Sequence, residues 1–155
     1  MDKFNCSVYD ISNSIDDLFA DGAVLPLYVS GSSMNPFLIS RRDIVYLSAV
    51  CDTDFKKGNI VLFKRSDGAL VLHRIKKVLP DGKVQVNGDA QDWCETVNKT
   101  QIIATVREIE RKGIKRRADS SYWNFINFIW QMLFPLRSLI MRVWFKLRRI
   151  KNKAE

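Results

Sequence analysis

Beyond residue 24 the apolar positions come in short runs, many alternating with polar ones, and glycine-bearing turns separate the runs. Residues 25–30 (LPLYVS), 43–49 (DIVYLSA), 60–65 (IVLFKR), 69–79 (ALVLHRIKKVL), 83–87 (KVQVN) and 102–110 (IIATVREIE) each predict a strand. Asp67-Gly68 and Asp81-Gly82 stand between successive runs, and this pair tolerates the positive φ of a tight hairpin. Many short strands with such turns predict a mainly β fold, an antiparallel and partly closed β domain. Before it, residues 8–20 place Val8, Ile11, Ile15, Leu18 and Phe19 at helical spacing, so a short N-terminal helix is expected, with Gly22 as its C-cap.

The pattern changes after residue 112. Residues 113–121 (GIKRRADSS) are polar and basic and read as a linker. Residues 122–155 then mix Trp, Phe, Ile and Leu with arginine and lysine. The uncharged run 120–136 is 17 residues long, includes Asn124, Asn127 and Gln131, and is borderline in length and too polar for a membrane span. After Pro135, the residues Leu139, Ile140, Val143, Trp144, Leu147 and Ile150 fall on one helical face, with Arg142, Lys146 and Arg149 beside them. The organisation expected is therefore a β domain over 1–112, a basic linker over 113–121 and an amphipathic helical tail over 122–155.

Charge sharpens this division. Residues 1–106 carry 12 Lys/Arg and 13 Asp/Glu, whereas residues 107–155 carry 13 and 4. The last third therefore supplies the whole net charge of +8. Trp and cations flanking an apolar stripe suit a helix lying in a membrane interface, so residues 122–150 are expected to meet an anionic membrane surface. The density of large apolar side chains suits lipid better than a phosphate backbone, and no nucleic acid partner is expected. Residues 1–21 contain five aspartates and no apolar run, so neither a secretory signal nor an N-terminal anchor is read there. Cys6, Cys51 and Cys94 form no CxxC pair and support neither a disulfide framework nor a zinc site. A cytoplasmic protein, peripheral on the membrane, is the expectation.

Chemistry concentrates in four segments. Ser30-Gly31-Ser32-Ser33-Met34-Asn35-Pro36-Phe37-Leu38 places a serine in a glycine-containing turn after a strand, a weak signal by itself. Gly58-Asn59-Ile60-Val61 and Leu72-His73-Arg74-Ile75 follow, then Asn87-Gly88-Asp89. His73 is the only histidine, and its ordinary pKa suits proton transfer near neutral pH. In this order the four segments resemble the boxes of type I signal peptidases, in the signal peptidase and LexA superfamily. Ser33-Met34 and Pro36 match the nucleophile box, Asn59 stands where aspartate is usual, and His73 matches the histidine-based endoplasmic-reticulum and archaeal forms.

The resemblance implies a serine peptidase working through an acyl-enzyme, with Ser33 as nucleophile, His73 as base and Asp89 as the acid that orients the imidazole. Asp92 and Glu95 are alternative acids, because the family often carries a second acid a few residues after the Gly-Asp pair. The oxyanion hole would use the Ser33 N–H, with Ser32 or Ser30 as helpers. A peptide or precursor substrate such as a leader is implied, and no metal or organic cofactor. Two rivals stay open: a catalytically degenerate membrane-associated binding module, and a LexA-like self-cleaving regulator.

Overall fold

The computed structural model describes Phe19 and residues 22–154. Apart from Phe19, the helix expected over residues 8–20 lies outside the described residues, as does Cys6. Gly22, expected as its cap, has φ +70° and donates its N–H to the Phe19 carbonyl at 3.0 Å.

Eight strands form one antiparallel sheet: β1 (Leu25–Tyr28), β2 (Ile44–Ser48), β3 (Ile60–Lys64), β4 (Leu70–Val78), β5 (Val84–Asn87), β6 (Glu95–Val97), β7 (Ile102–Arg111) and β8 (Ile114–Arg117). Their spatial order is β1-β2-β7-β3-β4-β5-β6, with β8 pairing β7. The two expected Asp-Gly turns join β3 to β4 and β4 to β5, and Gly68 and Gly82 have φ +88° and +80°. The sheet is not closed, which corrects the partial closure expected: β1 and β6 are its two ends. Both end strands are short and β1 contains Pro26, features that limit further pairing at an edge.

Strand β3 explains how one sheet supports two apolar layers. Its alternation sends Ile60 and Leu62 into a core with Val45, Leu38, Ala104 and Trp123. Val61 and Phe63 enter a second core with Ile75, Val84, Val86 and Ile102. A run buried on both faces reads as continuously apolar, as residues 60–63 (IVLF) do.

The stretch 113–121 is less of a linker than its composition implies. Lys112 and Gly113, at φ +52° and +78°, make a tight turn that folds β8 back along β7. All four residues of β8 are exposed, so no apolar alternation marks the strand. Two helices follow, α1 (Ser121–Met132) and α2 (Arg137–Ala154), joined by a 3-10 turn over Phe134–Leu136 that accommodates Pro135. Trp123 and Trp130 of α1 and Arg137 and Met141 of α2 are buried, so these helices pack on the β domain. At Gly58 the approach of α1 is so close that an added Cβ would lie 2.2 Å from the Asn127 side chain. Among the described residues no helix is long and apolar enough to cross a membrane.

Candidate active site

Ser33 sits in an irregular loop between β1 and β2 whose base is closed by two main-chain hydrogen bonds. Val29 donates to Asp43 at 3.0 Å and Arg41 donates to Val29 at 2.9 Å. Met34 and Leu38 are buried in the first core and pin the loop from below, while the Phe37 and Leu38 N–H groups both donate to the Met34 carbonyl. Buried Asp43 accepts from Ile39 N–H at 2.8 Å and from Arg42, which ties down the far end. Burial of Met34 thus leaves the adjacent Ser33 held at the surface on a fixed backbone.

His73 lies on β4, opposite Val61 of β3. Only 1% of it is exposed, and its ring tilts against Phe63 with centroids 5.7 Å apart. Ser33 and His73 line one open cleft of about 300 Å³, together with Ser30, Ser32, Arg65 and Gln91. The alternation of β4 then separates the acids. His73 faces the same side as Val71 and Ile75, and Arg74 faces the other. Glu95 serves the histidine side, with Oε1 3.4 Å from His73 Nδ1. Asp89 serves the arginine side, where Arg74 Nε and Nη2 grip both its oxygens at 2.9 and 2.7 Å.

The expectation for Asp89 therefore changes. Its carboxylate is wholly buried in a bidentate ion pair, and Arg74 Nη1 donates onward to the Gly58 carbonyl at 2.8 Å. Glu95 is the only carboxylate within 4 Å of a His73 nitrogen among the described residues. Asp92 is exposed and forms no ion pair there. Glu95 is itself held by Arg65, which donates from Nε to Oε2 at 2.7 Å and from Nη2 to Oε1. Oε1 is thus hydrogen-bonded to the guanidinium and lies near the imidazole without a hydrogen bond to it, and the buried His73 Nδ1 has no hydrogen-bond partner among the described residues.

Burial sets the charge state of this group. It pushes the His73 pKa down from 6.5 to about 4, with Arg65 acting in the same direction and Glu95 and Asp89 opposing. At neutral pH the imidazole is neutral and able to accept a proton. Neither Lys64 nor Lys76 lines the cleft. Lys76 instead places its ammonium 3.0 Å from the centre of the Phe134 ring.

The segment between Asn87 and Glu95 joins these parts. Ala90 N–H donates to the Ser33 carbonyl at 2.7 Å, and an added Cβ at Gly88 would lie 2.7 Å from that same oxygen. Only glycine permits this approach. Gln91 Oε1 accepts from Gly88 N–H at 3.1 Å, and Asn87 Nδ2 donates to the Gln91 carbonyl at 3.2 Å.

The tail helices support the same segment from outside. Trp130 Nε1 donates to the Asp89 carbonyl at 2.9 Å, and its ring meets Phe37 of the serine loop edge-on at 5.1 Å. Arg137 is 0% exposed and donates to Asn87 Oδ1 and to the Trp130 carbonyl. Arg65, Gln91, Trp130 and Arg137 carry no family signature in the sequence reading; only their hydrogen bonds reveal them.

Ser30 and Ser32 lie on the cleft wall, where either hydroxyl can assist the Ser33 N–H toward an oxyanion. Asn59 is structural: its Nδ2 donates to the Asp54 carbonyl at 2.8 Å, a bond that aspartate could not donate. Among the described residues no group of three His, Cys, Asp or Glu side chains is placed to hold a metal ion. Comparison with protein-family models, with curated proteins and with solved structures finds no match.

Proposed function

We propose that this chain is a serine endopeptidase with a fold of the signal peptidase and LexA type, using Ser33, His73 and Glu95. The observation that carries the reading is the shared cleft: Ser33 and neutral His73 line it, and Glu95 stands 3.4 Å from His73 Nδ1. Neutral His73 takes the Ser33 hydroxyl proton as Oγ attacks the scissile carbonyl. The tetrahedral oxyanion meets the Ser33 N–H and a hydroxyl from Ser30 or Ser32. His73 passes the proton to the leaving amine, and water then hydrolyses the acyl-enzyme by the same route. Glu95 steadies the imidazolium formed between the two transfers, while Arg65 restrains the carboxylate. The substrate class is a peptide or precursor segment with small side chains beside the scissile bond.

The test is cleavage of a peptide library of varied sequence by the purified chain, read by mass spectrometry. Cuts that vanish in Ser33→Ala and in His73→Ala are expected. If no cut depends on Ser33, the chain is a binding module built on this fold. A single Ser33-dependent cut within the chain itself, with the library untouched, would make it a self-cleaving regulator.

A further inference from the structure

We propose that the outward face of α1 and α2 docks on an anionic lipid surface. The inward face is already used, by Trp123, Trp130 and Arg137 against the β domain, and Met141 is buried as well. Opposite it, Phe125, Phe128 and Met132 of α1 stand 61–66% exposed. On α2, Leu139, Val143 and Leu147 repeat at intervals of four residues and are also exposed. Six large apolar side chains, three along the unpacked face of each helix, are far from the scattered exposure ordinary on a protein surface. The residues of α1 include no charge at all.

The cations identify the occupant. Arg142, Lys146 and Arg149 are exposed and fall beside the Leu139, Val143 and Leu147 stripe, between it and the packed side of α2. Residues 120–154 contain seven Lys/Arg and no Asp/Glu. A second copy seated on this face would set like charges together with no acid on either helix pair to answer them. Nucleic acid would meet the cations but leave the exposed aliphatic side chains of Met132, Leu139, Val143 and Leu147 without an apolar partner. A lipid interface accepts both parts: headgroups of negative charge against the cations and the acyl boundary against the apolar stripe. This inference stands apart from the peptidase reading, since none of its residues lines the cleft.

The experiment is flotation of the purified full chain with vesicles of phosphatidylcholine alone and of phosphatidylcholine with phosphatidylglycerol, at low and high salt. Binding to the anionic vesicles only, weakening as salt rises, is expected. Phe125→Ser/Phe128→Ser/Met132→Ser should lose about tenfold or more in vesicle binding. Arg142→Gln/Lys146→Gln/Arg149→Gln should lose the preference for anionic lipid. All six positions are exposed, and unchanged circular dichroism verifies that both variants are folded. Absence of vesicle binding, or equal binding to neutral vesicles, would overturn the proposal. So would a concentration-dependent dimer in light scattering that the Phe125/Phe128/Met132 variant abolishes, because a second copy would then cover the face. Library cleavage by the same preparations reports separately on Ser33.

Discussion

Trp130 Nε1 donates to the main-chain carbonyl of Asp89 across a separation of 41 residues, at 2.9 Å. Through that bond a helix at the far end of the chain holds the segment whose next residue, Ala90, holds Ser33. Trp130→Phe keeps the ring against Phe37 but leaves a buried carbonyl without its donor. A stability loss of about 1–3 kcal/mol is expected, with kcat reduced more than KM is raised. Urea unfolding and library cleavage kinetics measure the two effects; unchanged values for both would remove the role assigned to Trp130.

A chain ending near residue 118 removes Trp123, Trp130 and Arg137 together. It uncovers core residues packed beneath α1, so aggregation or a large fall in Tm is expected rather than a soluble, active β domain. Scanning calorimetry and size-exclusion chromatography of the truncated chain decide this. A truncated chain as stable and active as the full one would restore the picture of a detachable tail.

Asp89 and Glu95 should fail differently. Asp89→Asn leaves the buried Arg74 without its counter-charge, and removing one partner of a buried pair costs about 3–5 kcal/mol. Glu95→Gln leaves the fold nearly intact, because its pair with Arg65 is partly exposed, but lowers kcat. Chemical denaturation beside cleavage rates separates the two. Wild-type stability in Asp89→Asn with activity abolished would return the orienting role to Asp89.

His73 should make the fold acid-sensitive. Its folded pKa, about 4, lies below the unfolded value of 6.5. The unfolded chain therefore takes up the proton first, and stability present above pH 6.5 is lost as pH falls towards 4. The loss amounts to about 3 kcal/mol. His73→Gln should lack this component, so its denaturation midpoint should fall less than that of wild type between pH 7 and pH 4.5. Parallel curves for the two proteins would contradict a buried neutral imidazole.

The same shift relocates the acid limb of activity. An unperturbed histidine would place it near pH 6.5; here cleavage should stay level from pH 8 down to about 5 and fall near 4. Arg65 lowers the histidine pKa, so Arg65→Met should move the limb upward. Glu95 raises it, so Glu95→Gln should move the limb downward in addition to lowering kcat. Rate profiles of the three proteins check the direction of each displacement.

How far the chain could be read in advance depended on whether the signal was local. The strands between residues 25 and 110 were legible because alternation and Asp-Gly turns are properties of neighbours in sequence. β8 was not, since its four exposed residues show no alternation; the Lys112-Gly113 turn was its one local mark. Ser33 and His73 were singled out from their segments, and both line one cleft. Which of Asp89, Asp92 and Glu95 stands near His73 was not legible, because it depends on which face of β4 each acid reaches. Consecutive residues of a strand face opposite ways, so His73 and Arg74 claim different carboxylates. Arg137 looked like one more tail cation, and only the packing of α2 shows it buried.

The distribution of these supports along the chain also sets an order of events during synthesis. Ser33, His73 and Glu95 leave the ribosome well before Trp130 and Arg137. Until the last two emerge, the Asp89 carbonyl lacks its donor and Asn87 its guanidinium partner. Over the 42 residues that separate Glu95 from Arg137, the nascent chain therefore carries Ser33, His73 and Glu95 without the brace on the segment beside them, and the cleft is fully supported only when α1 and α2 fold back onto it.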